Sequence, residues 1–205
     1  MTALLLLATL TACTQETPTP PRTQTPGPTV SAGPTSSPSP MPSASPSVAP
    51  SSGPNQDVTV EPERPEALQG PATEENAVAV AKYHLALYSY IVATGDLEQW
   101  DSLAAKGCRY CASGREVAVA IHEAGNHGVG GAVDLHAGTA TLDDDGTFLV
   151  DIAFTEYPSQ TVSADGALVE DFPDTSEMKA TMRLSWSGSK WKVEGVQIDD
   201  FDEQQ

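Results

Sequence analysis

Apolar residues recur along this chain in two rhythms, every three to four positions up to about Ala124 and every second position beyond Gly130. Ala77, Ala81, Leu85, Tyr88 and Val92 keep helical spacing, and Val78, Val80, Leu87 and Ile91 widen the stripe to that of a deeply buried helix. Thr73 is the predicted N-cap. Glu74 and Glu75 follow in the first turn, where the helix dipole favours acids, and Thr94-Gly95 ends the helix. Asp96 and Gln99 form a capping box for a second, short helix. Its Leu97, Trp100 and Leu103 face inward, and Lys106-Gly107 stops it. Ser113 and Glu116 form another box, opening a helix through Val117, Ala118, Ala120, Ile121 and Ala124 that Gly125 closes.

The strand rhythm starts with Val133, Leu135 and Ala137, which alternate with Asp134 and His136. Phe148, Val150, Ile152 and Phe154 make one face of the next strand, after a turn at Asp144-Asp145-Gly146. Asp165-Gly166 marks a hairpin between Thr161-Val162 and Leu168-Val169. Met178, Ala180, Met182, Leu184 and Trp186 alternate with Lys179, Thr181, Arg183 and Ser185. Ser187-Gly188-Ser189 turns into Trp191 and Val193, and parity slips at Glu194-Gly195, which predicts a bulge before Val196 and Ile198. Helices followed by a run of antiparallel strands give an α+β fold, with one apolar sheet face covered by the long helix.

The region before these elements has a different composition. Leu4 to Leu10 is an apolar run too short to span a bilayer, which takes about 20 residues. It reads as the core of an export signal. Leu10-Thr11-Ala12-Cys13 resembles the lipobox of bacterial lipoproteins, in which the cysteine is lipidated with acyl chains such as palmitate and becomes the first mature residue. No Lys or Arg precedes Arg22, so the positive stretch that usually opens such signals is missing. Fifteen of the 17 prolines then fall between Pro18 and Pro71, among Ser, Thr, Ala and Gly and without one aromatic residue. Such a stretch cannot bury enough apolar surface to offset its ordering entropy, so a disordered Pro/Ser/Thr-rich linker with polyproline character is expected. The expected organisation is a signal peptide over 1–12, a lipidated Cys13 and tether over 13–71, a folded domain over 72–199 and an acidic tail over 200–205. The lipid places the protein on the extracytoplasmic face of the cell membrane, provided Cys13 carries more than one chain.

Ala81-Lys82-Tyr83-His84 through Ala93-Thr94-Gly95-Asp96 resembles the first helix of the nuclear-transport-factor-2-like (SnoaL-like) folds. Tyr88-Ser89-Tyr90, Thr94-Gly95-Asp96 and Gly107-Cys108-Arg109-Tyr110-Cys111 are similar to an actinobacterial lipoprotein family of unknown function. The resemblance covers about residues 65–135. It implies a cone-like domain in which a curved antiparallel sheet wraps the N-terminal helices, and a lipoprotein address. It implies no activity, and the cone fold hosts enzymes, binding modules and inert domains alike.

The formal charge is −18, from 10 basic and 28 acidic residues. That balance speaks against nucleic acid as a partner, because nothing offsets repulsion from phosphates. Cys108 and Cys111, in an exported chain, are expected to form a disulfide. A redox-active pair would need the attacking thiol at a helix N-terminus, whereas a helix opening at Ser113 leaves Cys108 five residues outside. Two cysteines alone are half a zinc site. His122-Glu123-Ala124-Gly125-Asn126-His127 lacks the four-residue spacing of a zincin helix. The Asp143-Asp144-Asp145-Gly146 loop lacks the first and twelfth ligands of an EF-hand. No metal site, cofactor or catalytic residue is assigned. Acid–base chemistry would fall to Asp151, His84 or Tyr88, with Asp151 expected to face solvent. Tyr88 and His84 are the candidate pocket residues. The reading favoured is a binding or interaction module of the cell envelope, whose partner is a small molecule, an envelope component or a protein. A small acid–base enzyme without cofactor and an inert spacer remain alternatives, separated by whether the cone holds a cavity and whether a buried ionisable group faces it.

Overall fold

A computed structural model describes residues 56–201; the signal run, Cys13, the Pro-rich stretch up to residue 55 and the last four residues of the acidic tail lie outside them. The elements run α1 (Glu74–Thr94), α2 (Glu98–Leu103), α3 (Arg109–Glu123), β1 (Asn126–Gly130), β2 (Val133–Leu142), β3 (Thr147–Glu156), β4 (Ser159–Ser163), β5 (Leu168–Phe172), β6 (Ser176–Trp186) and β7 (Trp191–Asp200). The fold is α+β, with helices packed against antiparallel sheets and the long α1 lying across β1, β2 and β3.

α1 keeps both boundaries read from sequence. Thr73 Oγ1 accepts from the Asn76 amide at 3.2 Å, and Gly95 closes the helix at φ 73°, a left-handed conformation that favours glycine. In α2 the Asp96 carboxylate accepts from the Glu98 amide at 3.0 Å. The far end of α2 is capped by Lys192, whose Nζ donates to the carbonyls of Ser102 and Ala104, a cation placed where the dipole is negative.

α3 opens earlier than expected. Its N-cap is Cys108 rather than Ser113, and Cys108 Sγ accepts from the Cys111 amide at 3.2 Å. The Ser113-x-x-Glu116 box therefore lies inside the helix. The strands form two sheets instead of one, a four-stranded sheet in the order β2-β3-β6-β7 and a three-stranded sheet in the order β1-β4-β5. β1 has no counterpart in the hydrophobic rhythm, because Gly128 and Gly130 carry no side chain to alternate. Gly128 lies so close to α1 that a Cβ there would stand 2.6 Å from Val92 Cγ1.

The inward faces of β3, β6 and β7 match the period-two pattern, whereas in β2 the register shifts between Leu135 and Gly138 and Ala137, expected on the inward face, is exposed. Phe148, Val150, Ile152 and Phe154 of β3, Ala180, Met182 and Leu184 of β6, and Trp191 and Val193 of β7 are buried. The β6–β7 register shifts beside Gly195, leaving Glu194 as the bulged residue. Residues ahead of α1 also dock on the domain. Tyr83 donates its hydroxyl to Glu61 at 2.9 Å, Trp191 Nε1 donates to the buried Ala67 carbonyl at 2.9 Å, and Asn76 Nδ2 donates to the Pro71 carbonyl at 2.8 Å.

Candidate functional site

Two adjoining cavities lie between the helices and the sheets. The first, of about 460 Å³, is walled by α1, the second half of α3, β1, β4, β5 and the segment after β5. The second, of about 260 Å³, is walled by α1, the first half of α3 and the ends of β2, β3 and β7. They share three residues: Tyr88 from α1, Val117 from α3 and Glu156 from the end of β3.

Glu156 is the unexpected member. β3 sends alternate residues inward, and Glu156 continues the parity of Phe148, Val150, Ile152 and Phe154. Its carboxyl is half-buried and has no hydrogen-bond or ion-pair partner among the described residues. Loss of water around it pushes its pKa up. Burial, and secondarily the Glu156 charge, likewise pushes up the Tyr88 hydroxyl. Tyr110, on the second cavity's wall, is raised by burial first, then by Tyr88 and Glu156. Both phenols therefore keep their protons at neutral pH and can donate.

This predicts a measurable cost. A carboxyl whose pKa is raised by folding contributes its full stability below its unfolded value and loses it as pH rises through the folded value. Glu156→Gln is expected to raise the stability of the unliganded protein at pH 7.5, by a few degrees in Tm. The gain should vanish near pH 4, where the carboxyl is already protonated. Thermal unfolding at the two pH values checks it, and a variant less stable at pH 7.5 would contradict it.

Of the two pocket residues named from sequence, Tyr88 stands on the wall of both cavities. His84, one turn earlier on α1, does not reach either. It is fully buried, stacked on Trp100 with ring centroids 4.3 Å apart and 20° between planes. Its Nε2 lies 3.8 Å from Cys111 Sγ, and its Nδ1 has no partner. Burial alone pulls its pKa down to about 3, so the ring is neutral. His84 is a core residue because Trp100 closes over it.

Cys108 and Cys111 stand at disulfide distance, with sulfurs 2.05 Å apart. The earlier start of α3 places the pair at a helix N-terminus, the position that sequence spacing denied it. Yet the two residues are only 2% and 1% exposed, and neither lines a cavity described here. The pair stays within the opening turn of α3, which Trp100 Nε1 ties to α2 by donating to the Cys111 carbonyl at 2.9 Å.

The remaining candidates are dispersed. Asp151 lies on the outward side of β3, accepting from Thr181 at 2.6 Å and pairing with Lys179 at 3.3 Å. His122 belongs to the last turn of α3, with Nε2 3.1 Å from the Val92 carbonyl, while His127 lies in β1. His136 is exposed and meets Thr155 Oγ1 at 3.2 Å. The Asp143–Asp145 turn is engaged by Arg183, which contacts Asp143 and Asp145. Among the described residues, no three His, Cys, Asp or Glu side chains converge on a point where they could hold a metal ion.

A family model described as "Family of unknown function (DUF6318)" matches residues 47–197. No curated protein matches the chain. Similar solved structures include the intermembrane space region of the chloroplast protein ARC6, at TM-score 0.48 and 14% identity, covering 64% of this chain and 99% of that one. The beta subunit of a putative aromatic-ring-hydroxylating dioxygenase from Novosphingobium aromaticivorans is similar at TM-score 0.39 and 14% identity, over 60% and 87% of the two chains. Aln2 from a Streptomyces species is similar at TM-score 0.38 and 15% identity, over 64% and 94%.

Proposed function

Since the chain belongs to that family of unknown function, whose membership carries no activity, we propose from the site alone that the domain is an extracytoplasmic binding module taking a small, largely apolar molecule into its cone. Cys13 anchors it to the membrane through lipid, and the Pro-rich stretch holds it away from the surface. One observation carries the reading: Glu156, an unpartnered and half-buried carboxyl, stands where two apolar cavities meet beside Tyr88. A larger volume of about 460 Å³ falls within the range of about 300–1,000 Å³ usual for small-molecule sites. An inert spacer would gain stability by filling this space and by carrying an apolar residue at position 156.

The same carboxyl favours acid–base catalysis as a second reading, because a raised pKa suits a general acid or base near neutral pH. Binding is preferred. Catalysis needs a second group working with the first, and no side chain among the described residues hydrogen-bonds Glu156.

Thermal unfolding of the full chain against lipids, wall fragments and other envelope extracts tests the proposal. A ligand at 100 times its Kd adds about 2.7 kcal/mol of stability. A saturable rise in Tm, abolished by filling the cavity with Val117→Trp, is the expected result. A rise that survives Val117→Trp, or none across the panel, would overturn the cavity as a binding site. Metabolic labelling with an alkynyl fatty acid tests the anchor, and its signal should disappear in Cys13→Ser.

A further inference from the structure

Resting on the binding reading above, we infer that the larger cavity selects a primary amine on an apolar body, with Glu156 as the acceptor for its ammonium. The charge of the walls points this way first. Their ionised side chains are Glu156, Glu170, Asp171 and Asp174, and neither cavity is lined by Lys, Arg or His. A carboxylate or phosphate ligand would meet only like charge, whereas a cation is drawn in.

The hydrogen-bonding inventory points the same way. Glu156 lines the cavity and its two oxygens accept no hydrogen bond among the described residues. An ammonium supplies three donors together with the charge that a desolvated carboxylate lacks. Val92, Ile121, Phe172 and Tyr157 give the wall apolar and aromatic surface, beside the hydroxyls of Ser89, Ser159, Thr161 and Ser176. An alkyl or aryl body would be buried there, and the aromatic faces would add to the attraction for the cation.

Octylamine, octan-1-ol and octanoate share one body and differ at the head, which makes them direct probes. Titrated calorimetrically into the full chain at pH 7.5, octylamine is expected to bind about tenfold tighter than octanol, a difference of about 1.4 kcal/mol, and octanoate weakest. Glu156→Gln should remove most of the amine's advantage and leave octanol unchanged. Equal affinity for amine and alcohol would overturn the inference while leaving the apolar cavity as a binding site. Amine selectivity that persists in Glu156→Gln would also overturn it, assigning the preference to the chain's general negative charge. Binding of none of the three would overturn this inference and the binding reading together. If Glu156→Gln fails to fold, the head-group series on the unaltered chain decides.

Discussion

Trp100→Ala is expected to destabilise the domain by about 3–5 kcal/mol, the usual cost of deleting a buried tryptophan, lowering Tm by roughly 10 °C. Trp100 is fully buried at the junction of the three helices. Its ring stacks on His84 and lies 6.1 Å from the Tyr88 ring and 6.0 Å from that of Tyr110. Its Nε1–H satisfies the Cys111 carbonyl in the first turn of α3. Gly114 is fitted against it so closely that a Cβ would stand 2.7 Å from Cζ2. Collapse around the vacated space is therefore limited on one side by backbone. Trp100→Phe retains most of the ring and loses the N–H, so its cost should be the smaller of the two. Urea unfolding monitored by circular dichroism would measure both. A loss under about 0.5 kcal/mol for Trp100→Ala, typical of a surface site, would contradict this account of the core.

Mild acid is expected to weaken the fold through His84, and His84→Met to abolish that sensitivity. The folded state holds His84 neutral down to about pH 3, against 6.5 for a free imidazole. Below pH 6.5 the unfolded chain therefore takes up a proton that the native state refuses. Stability falls toward the folded value with a limiting slope of about 1.4 kcal/mol per pH unit. Glu156 acts in the opposite sense, because its raised pKa makes acidification favourable to the folded state. Carboxylates held below their ordinary values, such as Asp96 with its bonds from Glu98 and Tyr90, lose stability only at lower pH. The window between pH 6.5 and 5 thus isolates the histidine when native protein and His84→Met are compared. Equal slopes in the two proteins would refute the assignment. His84→Met should also be the more stable at pH 5, since the unpaired Nδ1 is removed.

How much of this was legible depended on whether the determinant was local. α1, with Thr73 and Gly95 at its ends, was readable because caps and apolar stripe lie within one stretch of chain. The alternations of β3 and β6 and the slip beside Gly195 were readable for the same reason. The start of α3 was not, because a sound capping box at Ser113 competes with a sulfur cap at Cys108. The tie from Trp100 to Cys111, eleven residues apart in sequence, lies across that opening turn. β1 and the split into two sheets were hidden because glycines fit α1 by having no side chain. Tyr88 and His84 looked equivalent from one helix face, and only the docking of Trp100 separates wall from core. Glu156 does carry a local signal: an acid continuing four inward-facing apolar positions at the same parity marks a charge on the buried side of a strand.

The bonds that dock residues 57–71 also determine how the domain would answer a pull from its N-terminal side. Force arriving at residue 56 would load the Glu61–Tyr83 contact first, then Ala67–Trp191, then Pro71–Asn76, each in turn. Hydrogen bonds loaded one after another peel like a zipper, each resisting with about 0.5–1.5 kcal/mol, and the burial of Ala67 adds to the middle one. The freed segment would release about 50 Å of chain before Thr73 and the first turn of α1 felt any tension. The two adjoining cavities, whose walls take no residue from 57–71, would thus be mechanically insulated, with a short reel of slack between the load and α1.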